Sequence, residues 1–201
     1  MGVKLKMNFI LDNKVIEKID KYEYIMKKIN EVNVYENMNF RKTYCTYYGL
    51  NRNTSKEYQD KYFAYMEKNK SRTSITYEEA LVDLRELTNR VDYSFTSKLL
   101  HTINPNMPIL DKHLMRLLGF PLKEIGKNRL SYYVKIHKIV ADEYEQIKNN
   151  FSNGNENTKI YNALKWFDEA FPKYKELSVS KKIDSILFRM KAERAPSMLN
   201  I

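Results

Sequence analysis

The chain of 201 residues carries 35 Lys and Arg against 25 Asp and Glu, a net charge of +10, with one cysteine, three histidines, five glycines and five prolines. One core at this length buries about 70% of the unfolded chain's surface, so no staple is required, and Cys45 alone excludes an intramolecular disulfide, a zinc site or an iron–sulfur cluster. No metal or cofactor is implied. No apolar run approaches the ~20 residues that span a bilayer, and Met1-Gly2-Val3-Lys4-Leu5-Lys6 has neither the apolar stretch of a signal peptide nor a myristoylation signal; the expectation is a soluble cytoplasmic protein without a membrane partner.

The few glycines and prolines leave room for long elements, and the apolar spacing predicts an all-α protein, a compact multi-helix orthogonal bundle forming one domain over residues 1–190, with a frayed tail over 191–201. From Asp12 as N-cap, Val15, Ile16, Ile19, Tyr22, Ile25, Met26 and Ile29 recur three and four apart on one helical stripe. The aromatic stretch Tyr44 to Tyr48 reads as a short strand or a buried turn. Asn53 to Lys70 is a second amphipathic helix, with Tyr58, Tyr62, Phe63 and Met66 inward.

Thr76-Tyr77-Glu78-Glu79 is a capping box opening a helix that carries Ala80, Leu81, Leu84 and Leu87 and stops near Asn89. The connection Val91 to Thr96 leads to a two-turn helix from Ser97 to Ile103. It is closed by Asn104-Pro105-Asn106-Met107-Pro108, whose prolines forbid continuation. A further helix begins around Leu110, turns Leu114, Leu117 and Leu118 inward, and ends at Gly119 before Pro121. A long helix follows through Leu130, Tyr133, Ile136, Ile139, Val140, Tyr144 and Ile147, then a polar loop from Asn149 to Asn157 that is the best internal boundary. Two helices remain, Ile160 to Phe171 around Trp166 and Ser180 to Met190.

The chemistry concentrates in Ser94 to Gly119, SFTSKLLHTINPNMPILDKHLMRLLG. This order places Lys98 and Asp111 at the starts of consecutive short helices joined by a tight turn. A helix N-terminus is partially positive, which disfavours the Lys98 ammonium, as an amine nucleophile requires, and keeps Asp111 ionised. Paired as an antiparallel hairpin, the two helices turn amine and carboxylate toward one cleft.

The segment resembles the helix-hairpin-helix DNA glycosylase superfamily, of oxoguanine glycosylase-like or endonuclease III-like fold, as a divergent member with a degenerate hairpin at its centre. The resemblance is carried by the lysine and by Pro108-Ile109-Leu110-Asp111-Lys112-His113-Leu114-Met115-Arg116. It implies Asp111 as the catalytic carboxylate and Lys98 as the nucleophile that expels a damaged base and forms a Schiff base. Ser94, Thr96, Ser97, Lys112 and Arg116 are then the nucleic-acid contacts, DNA the partner, and Tyr93, Phe95 and Trp166 the aromatics that would hold a flipped base. The sequence departs from the superfamily in two places. The stretch leading into Lys98 has no glycine to grip a phosphate, and Asp111 follows Lys98 by only 13 positions.

Plainer roles stand beside these: Asp111 as a helix cap worth about 1 kcal/mol, Lys98 and Arg116 as solvated surface residues, and His101 and His113 as packing residues. The basic surplus fits a polyanionic partner, but also an AT-rich coding bias toward Lys, Asn, Ile and Tyr. Two function classes follow: a base-excision glycosylase with Schiff-base lyase chemistry, or an inactive glycosylase-like scaffold holding nucleic acid or a protein partner, for example in phage defence.

Overall fold

The computed structural model describes residues 13–52, 54–121, 129–154 and 158–188. They form nine α-helices: α1 (Asn13–Lys28), α2 (Met38–Tyr48), α3 (Lys56–Asn69), α4 (Tyr77–Thr88), α5 (Tyr93–Ile103), α6 (Lys112–Leu117), α7 (Arg129–Ser152), α8 (Lys159–Ala170) and α9 (Val179–Phe188). Among the described residues there is no strand, and no helix is long and apolar enough to cross a membrane. α1 packs on α2, α3 on α4, and α4 on both α5 and α7; α9 lies against α6, α7 and α8.

α5 sits at the centre. Seven of its residues, Thr96, Ser97, Leu99, Leu100, His101, Thr102 and Ile103, are buried, more than one face of an amphipathic helix can hide, so it is enclosed on most sides. Its polar side chains are therefore bonded internally, since a buried donor or acceptor left bare costs about 1–3 kcal/mol. Thr102 Oγ1 donates to the Lys98 carbonyl at 2.8 Å, and Ser97 Oγ accepts from Leu110 N at 3.0 Å. Around α5 one continuous apolar cluster gathers residues from every helix, including Ile25, Tyr44, Tyr62, Leu84, Leu114, Tyr133, Leu164 and Ile186.

Capping fixes most helix starts. Asn37, Ser55, Thr76, Asp111 and Thr158 each accept a hydrogen bond from the backbone N–H three residues on. Only half of the box at Thr76 closes, because the Glu79 carboxylate turns instead to Arg72, 2.8 Å away. Asn89 ends α4 at φ 56°, a left-handed conformation Asn tolerates better than most residues.

Three expectations are corrected. Tyr44 to Tyr48 is neither strand nor turn but the end of α2, where Phe40, Tyr44 and Tyr48 recur every four residues and are buried on one face. α5 starts at Tyr93, four residues early, behind an Asp92 that caps it without a side-chain bond. α7 runs through 149–152, the first half of the expected loop, to Ser152. The expected cap Asp12, part of the 149–157 loop, Met190 and the tail over 191–201 lie outside the described residues, as do the side chains of Val15 and Ile16.

Candidate active site

A pocket of about 350 Å³ opens between α1, the end of α2, α5, α6, α7 and α9. Lys98 and Asp111 both line it, so the fold brings together the two residues on which the expected chemistry depends. Their routes into the pocket differ from those expected. Lys98 is the sixth residue of α5, beyond the reach of the helix N-terminus. Its amine is held below the ordinary value of 10.5 by burial, with the Asp111 carboxylate pulling the other way. The direction is the one a nucleophile needs, but the cause is desolvation. Lys98 Nζ donates to the Tyr48 carbonyl at 3.2 Å and lies 5.2 Å from the centre of the Phe95 ring.

Asp111 is itself the N-cap of α6, its Oδ1 accepting from Leu114 N at 2.9 Å. The cap uses one oxygen and fixes the side chain's orientation at the pocket wall. The approach of α5 to α6 is set by Ser97, whose hydroxyl bonds both the N–H and the carbonyl of Leu110, at 3.0 and 3.2 Å. This interior role corrects the expectation of a phosphate contact. Ser97 and Thr96 are both fully buried, and Thr96 Oγ1 donates to the Asp92 carbonyl. Ser94 is half-buried, and Lys112 and Arg116 are exposed on α6.

The expected aromatics are placed elsewhere. Tyr93 stacks on Tyr133 with centroids 4.1 Å apart, Phe95 packs near Tyr58, and Trp166 meets Phe171 edge-on. None of the three lines the pocket, whose aromatic surface comes from Tyr47, Tyr48, Tyr144 and Phe188. Gly49, at φ 73°, ends α2 at the pocket wall, where a side chain would strain the backbone next to the carbonyl that Lys98 holds.

The wall opposite comes from α9, and the sequence reading missed it. Lys181, Asp184, Ser185 and Phe188 follow the i, i+3, i+4, i+7 spacing of one helical face, and all four line the pocket. Lys181 is 6% exposed; its Nζ donates to Tyr47 Oη at 2.8 Å and lies 4.7 Å from the centre of the Tyr22 ring. Burial disfavours its charge, but Tyr47 and Asp184 outweigh burial and the amine is held above its ordinary value. Asp184 accepts from Tyr144 Oη at 2.8 Å, and burial pushes its carboxyl up to about 7.

His101, fully buried, and His113, partly buried at the pocket, both hold backbone carbonyls. His101 Nδ1 lies 2.6 Å from the Met107 carbonyl, which can only accept, so that nitrogen carries the proton and Nε2 accepts from Tyr22 Oη at 3.1 Å. Burial keeps His101 neutral, down to about 3. His113 Nε2 meets the Leu187 carbonyl at 3.1 Å, tying α6 to α9. With Lys18 and Arg52 also on the lining, cations outnumber carboxylates there, and an anionic ligand is drawn toward the site. Comparison with protein-family models, with curated proteins and with solved structures finds no match.

Proposed function

We propose that this protein acts on DNA as a base-excision glycosylase with Schiff-base lyase chemistry, Lys98 being the nucleophile and Asp111 the carboxylate that assists it. One observation carries the reading: an amine and a carboxylate 13 positions apart in sequence line one pocket, and burial favours the neutral form of the amine. Rim cations and the net charge of +10 support a polyanionic substrate.

The chemistry follows from these groups. The neutral amine attacks the sugar carbon that holds the base, the carbon–nitrogen bond to the base breaks, and the base leaves with the bonding pair and takes up a proton. The new nitrogen–carbon bond leaves positive charge on nitrogen, which Asp111 stabilises and then relieves by accepting a proton. Ring opening of the sugar gives an imine. The damaged base must first leave the stack, and a pocket of about 350 Å³ walled by tyrosines has room for one base.

Borohydride reduces such an imine to a stable amine. The expected outcome is a covalent adduct between the protein and DNA containing an abasic site, absent in Lys98→Ala and reduced about 100-fold in rate in Asp111→Asn, whose amide still caps α6. Wild-type protein that binds the DNA but yields no adduct would overturn the reading in favour of a scaffold that holds nucleic acid without turning it over. That second reading draws on the cap itself, because Asp111 has a structural occupation independent of catalysis.

A further inference from the structure

Two exposed cations on the lining of the pocket, Lys18 and Arg52, have no part in the chemistry assigned to Lys98 and Asp111. They stand on different elements. Arg52 closes the 3₁₀ turn Leu50–Arg52 that follows α2, and among the described residues no ion pair engages its guanidinium. The turn is pinned, because Leu50 is fully buried, its carbonyl accepts from Thr54 Oγ1, and Arg52 N donates to the Gly49 carbonyl at 3.3 Å. Lys18 projects from α1, its Nζ 4.3 Å from the centre of the Phe188 ring, which is itself 51% exposed. A ring face holds an ammonium in place but carries no net charge to cancel it. Glu17, beside Lys18 in sequence, pairs with Lys21. The two carboxylates of the lining are also committed: Asp111 caps α6, and Asp184 is buried and accepts from Tyr144 and from the Ile109 backbone.

We infer that Arg52 and Lys18 are the phosphodiester grip of this protein, holding backbone phosphates next to the nucleotide whose sugar meets Lys98. The position of the sugar rests on the glycosylase reading; the residues that bind the backbone go beyond it. Lys98 Nζ meets the Tyr48 carbonyl at 3.2 Å, and Arg52 follows four residues later on the same stretch of pocket wall. A nucleotide's sugar joins its base to its phosphate, so a sugar at that amine brings a phosphate toward the adjoining wall, where a guanidinium can take two phosphate oxygens at once. Two of the residues expected to do this are unable to. Thr96 and Ser97 are fully buried with their hydroxyls bonded to Asp92 and Leu110, and the stretch leading into Lys98 has no glycine to bring backbone N–H groups up to a phosphate. Exposed cations at the pocket replace the missing backbone grip.

The test is the salt dependence of binding to a short fluorescein-labelled single-stranded oligodeoxynucleotide, read by anisotropy over a sodium chloride series. Each phosphate contact on a single strand contributes about 0.7 to the slope of log affinity against log salt. Lys18→Gln with Arg52→Gln is expected to flatten that slope by about 1.4 and to weaken binding at least about tenfold at low salt. Arg52→Lys, which keeps the charge, should keep the slope. Lys68→Gln with Lys165→Gln makes the same change in net charge on α3 and α8, which do not line the pocket, and its slope should match wild type. All the substituted side chains are exposed, so no variant opens the core. Equal flattening in the two double variants, an unchanged slope in Lys18→Gln with Arg52→Gln, or no binding by wild type would overturn the inference. Borohydride trapping separates the two claims. A slope lost in the pocket variant while wild type yields no adduct leaves the grip and sinks the glycosylase reading, whereas an adduct in wild type with an unchanged slope in the variant does the opposite.

Discussion

Lys98 and Lys181 are the same residue in the same pocket, yet the fold drives their amines in opposite directions. Lys98, on α5, has a backbone carbonyl as its hydrogen-bond acceptor and only the partial support of Asp111, so burial prevails and its charge is disfavoured. Lys181, on α9, is buried more deeply, but a tyrosine oxygen and the field of Asp184 overcome that burial. Depth alone does not activate a lysine. What decides is whether the groups around the ammonium return what it loses by leaving water. On the α5 wall burial lowers the amine, and on the α9 wall the partners of the ammonium raise it.

The hardest way to break this contrast is to remove the supported charge. Lys181→Met leaves Asp184 buried without its counter-charge and Tyr47 without its donor, and should cost about 3 kcal/mol at neutral pH in urea denaturation. Adding Asp184→Asn should recover most of the loss. A cost under about 1 kcal/mol would mean that the two charges on α9 do not support each other.

A smaller effect tests the carboxylate alone. Asp184 has a folded value of about 7 against an ordinary 3.8, so the folded state binds the more protons between them. Stability is then greatest below the lower value and falls as pH rises through the upper one. Asp184→Asn mimics the protonated side chain and should flatten this decline, gaining on the order of 2 kcal/mol over wild type above pH 7. Parallel stability curves from pH 4 to 8 would show that the carboxyl is not perturbed.

The two walls also differ in how readable they were. Lys98 and Asp111 stand close in sequence around a proline-containing turn, and short-range order carries them to one pocket. Nothing local marks Lys181 and Asp184, because a Lys and an Asp three apart on a helix read as a solvated face; packing of α9 against α6 and α7 turns them inward. Thr96 and Ser97 were misread for the complementary reason. They look like surface hydroxyls in sequence, but α5 is enclosed, and their partners are Asp92 and Leu110. The long amphipathic helices were plain from their apolar stripes. Tyr44 to Tyr48 was not, because clustered aromatics favour strands as readily as they line a helix face, and the controlling signals were Asn37 and Gly49 at its two ends.

The smallest expected effect bears most directly on Lys98. Lys98→Met removes a charge that burial penalises, but it also takes the donor from the Tyr48 carbonyl, a loss of about 1 kcal/mol. Near neutral pH the two nearly cancel, and a net gain of roughly 1 kcal/mol is expected because desolvation is the larger. The alkaline range is more decisive. The folded amine loses its proton below the ordinary 10.5, so between the folded value and 10.5 the unfolded chain binds the extra proton and wild-type stability rises relative to the variant. Buried tyrosines such as Tyr44 and Tyr48, which resist ionisation, pull the absolute curves down in the same range. They do so equally in both proteins, and the difference curve isolates Lys98. A Lys98→Met advantage that shrinks as pH approaches 10 marks an amine whose charge the fold penalises, whereas a constant difference would place Lys98 with Lys181, as a charge the fold has learned to keep.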